Sequence, residues 1–123
     1  MIIAIAQINS VIGDFAGNRV KIAAFAGRAK DRGADLVLFP ELALCGYPPM
    51  DLLDQDRFVE LNIRSLRLLQ REIPGGIACG VGCVGRNPGE GGKALVNAYG
   101  IILDGALVFE QVKTLLPTYD VFD

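Results

Sequence analysis

The chain has 123 residues, enough for one small domain. Its net charge of −2 and pI near 5.1 leave no basic footprint for nucleic acid or an anionic membrane surface. Hydrophobic residues make up 51% and the mean hydropathy is +0.37, which implies strands buried on both faces, yet every apolar run is far too short to cross a bilayer.

The elements alternate along the chain. Ile2 to Ile8 reads as a continuous apolar strand, and the opening Met1-Ile2-Ile3-Ala4 lacks the basic start of a secretory signal, so a cytoplasmic location is expected. From Asn18 to about Arg32, Ile22, Phe25, Ala26 and Ala29 recur at helical spacing, Lys21, Arg28 and Asp31 suit a wet side, and Gly33 suits a stop. Leu36 to Phe39 is a second strand. After the Pro48-Pro49 loop, a helix from about Asp56 to Glu72 sets Val59, Ile63, Leu66, Leu69 and Ile73 on one stripe. Glu60, Arg64, Arg67 and Arg71 form a solvated one, with Glu60 and Arg64 at the favourable spacing of four. Strands follow at 77–84, 94–103 and 106–112, the last two joined by the hairpin dipeptide Asp104-Gly105. The glycine-rich connector at 86–93 lacks a following Gly-Lys-Ser/Thr and runs into a strand, so it reads as a loop and not as a phosphate cradle. The order βαβα followed by consecutive strands specifies an α/β architecture with a mixed sheet and two helices.

Two positions stand out chemically. Glu41 follows the strand 36–39, and a carboxylate kept partly desolvated at a strand end has the raised proton affinity of a general base; a solvated or salt-bridged loop glutamate is the plainer reading. The chain has no histidine, so Ser-His-Asp and Cys-His systems are excluded and Glu, Asp, Lys, Tyr or Cys must shuttle any proton. Lys113, just past an apolar strand, is a candidate on that ground. Cys45 lies on the Glu41 loop and reads as a small semi-buried filler. Cys79 and Cys83 share a strand face, and without histidine or a second cysteine pair they make no zinc signature. Reduced core thiols fit a cytosolic compartment.

The pattern Phe-Pro-Glu-Leu-x-Leu-x-Gly-Tyr-Pro-Pro-x-Asp-Leu-Leu at 39–53 and Lys-x-x-Leu-Pro-x-Tyr-x-Val-Phe-Asp at 113–123 resembles the glutaminase domain of the glutamine-dependent NAD synthetase family. That domain is a branch of the nitrilase, or carbon-nitrogen hydrolase, superfamily. The start Ile3-Ala4-Ile5-Ala6-Gln7-Ile8-Asn9, with Ile12-Gly13-Asp14 and Asn18, is similar too, whereas Met50 stands where the family carries an acidic residue. The resemblance implies a nitrilase-like αββα sandwich, of which residues 1–123 would be the truncated N-terminal half. It also implies that Glu41 is the general base, that Lys113 stabilises the oxyanion and that Tyr119 helps to hold glutamine. Tyr119 could equally wedge the Pro117 turn, and Tyr47 is expected to pack the Gly46-Pro48 turn. The family's nucleophilic cysteine would lie beyond residue 123, so the isolated chain is expected to be inactive. No cofactor or metal is expected in this chain; ATP, magnesium and deamido-NAD belong to a separate synthetase domain, which would amidate deamido-NAD with the ammonia released. The partners implied are glutamine and the rest of the parent polypeptide. A half-covered sheet would also favour self-association. Two other readings remain open: part of a different amidase of the superfamily, or a noncatalytic module binding a partner through its sheet edge.

Overall fold

The computed structural model describes residues 1–87, 89, 91 and 94–113. Parallel strands need a crossover, and here each is supplied by a helix. β1 (Ile3–Ile5) leads through α1 (Phe15–Asp31) to β2 (Leu36–Leu38), and a loop, a 3₁₀ turn at Met50–Asp54 and α2 (Asp56–Glu72) lead to β3 (Ala78–Arg86). β4 (Leu95–Leu103) and β5 (Ala106–Val112) follow. The strands lie in the order β1-β2-β3-β4-β5, the first two pairings parallel and the last two antiparallel, so the mixed sheet with two helices expected from the sequence is present. Asp104 (φ +49°) and Gly105 (φ +82°) both take the left-handed conformation that the β4–β5 hairpin requires.

The two faces of the sheet differ sharply. In one row across the strands, Ala4 pairs with Val37, Val37 with Cys79 and Cys79 with Ile102, and the last three are completely buried. Ala4 and Val37 border Phe25 and Ala29, so this face is the one the helices cover. The adjacent row, Ile5, Leu38, Gly80, Ile101 and Phe109, projects to the opposite side because side chains alternate along a strand. There Ile5 is 68% and Phe109 is 53% exposed. β1 is shorter than the 2–8 run and pairs only with β2 among the described residues, and its apolar side chains on this side are uncovered, as expected of a half-covered sheet.

Both helices follow the sequence pattern with local shifts. α1 starts earlier than expected because the Asp14 side chain caps it, accepting from Gly17 N at 3.0 Å. Asn18 is buried inside the helix, and its amide accepts from Val11 N (2.9 Å) and donates to Val11 O (2.9 Å) and Leu44 O (3.0 Å). It thereby ties the segment after β1 to the one after β2. The bounds of α2 match the expectation, and Val59, Leu69 and Ile73 of the expected stripe are buried, while Ile63 and Leu66 are half-buried and Phe58, Asn62 and Ser65 are buried as well. The buried face extends beyond the expected stripe because α2 packs on α1 as well as on the sheet: the Phe15 and Phe58 rings lie 5.2 Å apart, and Arg19 reaches Glu72 (2.8 Å) and Ser65 (3.2 Å). Glu60 pairs with Arg86 of β3 rather than within its helix.

Candidate active site

The turn that carries Glu41 is built across β3. Phe39 N extends the parallel ladder to Gly80 O (2.8 Å), and Leu44 N rejoins it at Gly82 O (3.2 Å). Between them the chain doubles over, closed by Ala43 N to Pro40 O (3.2 Å) and Gly46 N to Leu42 O (2.8 Å). Leu42 sits at φ +52° yet is completely buried, so core packing holds a backbone conformation that costs an L-residue roughly 1–2 kcal/mol. The turn lies close because β3 has no side chain beneath it. A β-carbon on Gly82 would stand 2.2 Å from Leu42 N and 2.7 Å from Pro40 O.

β4 supplies the polar partners. On the open face, the Tyr99 ring lies where a Gly80 β-carbon would be, and its hydroxyl donates to Phe39 O at 2.7 Å. Burial pushes the Tyr99 hydroxyl up to about 12, so it stays a donor through the neutral range. Two residues back, Asn97 Nδ2 donates to Glu41 Oε1 at 2.5 Å. Lys113 N bonds Asn97 O (2.8 Å), which continues the β4–β5 ladder by one residue, and its Nζ reaches the same Glu41 Oε1 at 3.1 Å. Oε1 thus takes both donors, and Oε2 has no hydrogen-bond partner among the described residues. Glu41, Asn97, Ala98, Tyr99, Gln111 and Lys113 line a hollow of about 250 Å³ on the open face. Glu41 also borders a smaller hollow of about 130 Å³ with Ser10 and Tyr47.

Glu41 and Lys113, 72 positions apart in sequence, are therefore brought together; Tyr119 lies outside the described residues. The Glu41 side chain is 44% exposed and paired with an ammonium, so both the partly covered and the salt-bridged descriptions apply to it. Tyr47 is half-exposed at the edge of the second hollow. One expectation is revised: Cys45 is fully buried, not semi-buried, and burial raises its thiol from 9.0 to about 12. Cys79 and Cys83 are buried on the helix-covered face and raised likewise. Thiols so protonated are poor nucleophiles. Among the described residues no group of three His, Cys, Asp or Glu side chains is placed to hold a metal ion, and no helix is long and apolar enough to cross a membrane. Sequence reasoning missed Asn97, Tyr99 and Gly82. The signals were present: two polar side chains alternating on a strand between apolar ones, and glycines in a strand interior.

A mixed α/β sheet with helices on one face and a carboxylate–ammonium pair on the other defines the frame into which relatives fit. The carbon-nitrogen hydrolase profile matches residues 2–122, and the chain belongs to that family. A glutamine-dependent NAD(+) synthetase from Synechocystis sp. is 48% identical over 124 residues, covering 98% of this chain and 22% of that protein. One from Thermotoga maritima is 34% identical, covering 98% of this chain and 20% of that protein. The chain spans about a fifth of the length of these curated relatives. Among solved structures, the glutamine-dependent NAD+ synthetase from Acinetobacter baumannii superposes with a TM-score of 0.81 at 30% identity, over 98% of this chain and 22% of that one. An amidase from Nesterenkonia sp. gives 0.73 at 29%, over 94% of this chain and 43% of that one. The fold is thus nitrilase-like α/β, with these residues matching one part of the larger proteins.

Proposed function

We propose that the chain is the N-terminal part of a glutaminase domain in a glutamine-dependent NAD synthetase, and that it contributes the base and the cationic residue for amide hydrolysis. The observation that carries this reading is the contact of Glu41 with Lys113 on the open face of the sheet. In the intact domain a downstream segment supplies a cysteine. Glu41 takes the thiol proton as the sulfur bonds to the side-chain carbonyl carbon of glutamine, while the Lys113 ammonium stabilises the resulting oxyanion. As the carbon–nitrogen bond breaks, Glu41 returns the proton to the departing nitrogen and ammonia leaves. Glu41 then takes a proton from water, whose oxygen attacks the thioester, and glutamate and the thiol are released. Tyr119 helps to hold the glutamine. ATP, magnesium and deamido-NAD are bound by a separate domain, where the ammonia amidates deamido-NAD. The three buried, unpaired cysteines suit a reducing cytoplasm and leave the isolated chain without a nucleophile.

The test is Glu41→Gln in the full-length gene product. Glutamine-dependent NAD formation falls by about a hundredfold or more while ammonia-dependent formation is retained, since free ammonia bypasses the thioester. Equal loss with both nitrogen sources would assign Glu41 to folding, and retained glutamine use would remove the assignment. The likeness to the Nesterenkonia amidase favours a second reading, hydrolysis of another small amide without a synthetase step. Turnover of simple aliphatic amides in place of glutamine would establish it.

A further inference from the structure

Glu41 must present one carboxylate oxygen to the proton it removes, and a carboxyl group that is 44% exposed on a turn can rotate. A lysine ammonium on a four-carbon stem is a weaker constraint on a carboxylate oxygen than a short amide side chain anchored in a strand. Asn97 is different. It is 4% exposed, sits third in β4 opposite Val84, and is fixed by strand pairing on both sides, with its own carbonyl accepting from Lys113 N at 2.8 Å. Its amide nitrogen ends on Glu41 Oε1, the oxygen that Lys113 Nζ also contacts. The same strand position therefore sets the backbone that delivers Lys113 and holds the carboxylate that Lys113 meets.

We infer that Asn97 is the positioning residue of this site: it pins Glu41 Oε1 beside the Lys113 ammonium, so that Oε2 is the oxygen that takes and returns the proton. This rests on the glutaminase reading above. The donor must be neutral and rigid. A second cation there would draw the carboxylate into a closed ion pair, and a longer side chain would not fit the buried strand position.

The experiment uses the full-length gene product with Asn97→Leu, which keeps the volume and loses the donor, Asn97→Asp, and Glu41→Gln as reference. Steady-state kinetics with glutamine are measured from pH 6 to 9, with ammonia-dependent NAD formation and thermal melting alongside. Asn97→Leu lowers kcat for glutamine about tenfold or more, changes KM less than about twofold, and leaves ammonia-dependent formation intact. Asn97→Asp is worse than Asn97→Leu at high pH, because a second carboxylate faces Glu41 across Lys113 and beside Tyr99. It recovers relative to the unsubstituted enzyme as pH falls, because its protonated carboxyl is again a donor. A loss independent of pH and equal in both variants, accompanied by a lower melting temperature or reduced ammonia-dependent formation, would make Asn97 merely structural and overturn the inference. Unchanged kcat in Asn97→Leu while Glu41→Gln is inactive would overturn it and spare the functional reading. Failure of the unsubstituted protein to hydrolyse glutamine would overturn both.

Discussion

Gly82 lies directly beneath the peptide that joins Glu41 to Leu42, with 2.2 Å between Leu42 N and the place a Gly82 β-carbon would occupy. The obstacle is backbone, not the tip of a flexible side chain, so it cannot step aside cheaply. Gly82→Ala is expected to lift the turn off β3. It should destabilise the fold by about 1–3 kcal/mol in denaturant titration and reduce glutaminase activity of the full-length protein further than the folded fraction explains. A variant with unchanged stability and activity would show that the turn is not held where it is seen.

Lys113 contacts Glu41 through one charged hydrogen bond. Removing the ammonium by Lys113→Ala in the full-length protein should cost about a hundredfold or more in kcat for glutamine and spare ammonia-dependent NAD formation. Steady-state assays with each nitrogen source decide it; comparable loss in both would place Lys113 in interdomain packing.

The isolated chain should release no ammonia from glutamine. Its three thiols are buried and raised to about 12, so they should react with a thiol reagent at pH 8 only on unfolding, and Cys45→Ala should leave every activity of the full-length protein unchanged. Ammonia release by the isolated chain that disappears in Cys45→Ala would place the nucleophile on the Glu41 loop.

The same thiols make stability depend on alkaline pH. Each has a folded pKa near 12 against an ordinary 9.0, so between those values the folded chain holds more protons than the unfolded one. Their contribution is complete below pH 9 and is lost as pH climbs toward 12, by at most about 1.4 kcal/mol per pH unit for each group. Melting temperature should fall across that window, and less steeply in Cys79→Ala. Parallel slopes for the two proteins would contradict the assignment.

The open face of the sheet carries Ile3, Ile5 and Phe109 at or above half exposure. Ile3 and Ile5 lie on edge strand β1 and Phe109 on edge strand β5, and exposed apolar side chains at both edges favour pairing between copies when nothing else covers them. The isolated chain should sediment as an assembly larger than a monomer, and Ile5→Lys with Phe109→Lys should shift it to monomer without lowering its melting temperature. A monomeric unsubstituted chain would refute this.

The features legible along the chain were periodic or local. The limits of α2 followed from apolar spacing, the Asp104–Gly105 turn from the tolerance of those residues for positive φ, and the mixed α/β sheet from βαβα alternation followed by consecutive strands. Family membership and the choice of Glu41 and Lys113 rested on short contiguous motifs. Long-range packing set what depends on partners distant in sequence: which row of β1–β5 the helices cover, that α2 also buries Phe58 against Phe15, that Glu41 is half-exposed, and that Asn97 and Lys113 meet on one carboxylate oxygen. Asn97 was illegible for a physical reason. A polar side chain in a strand is defined by what lies opposite it, and the turn over Gly82 that brings Glu41 there is 56 residues away in sequence from Asn97.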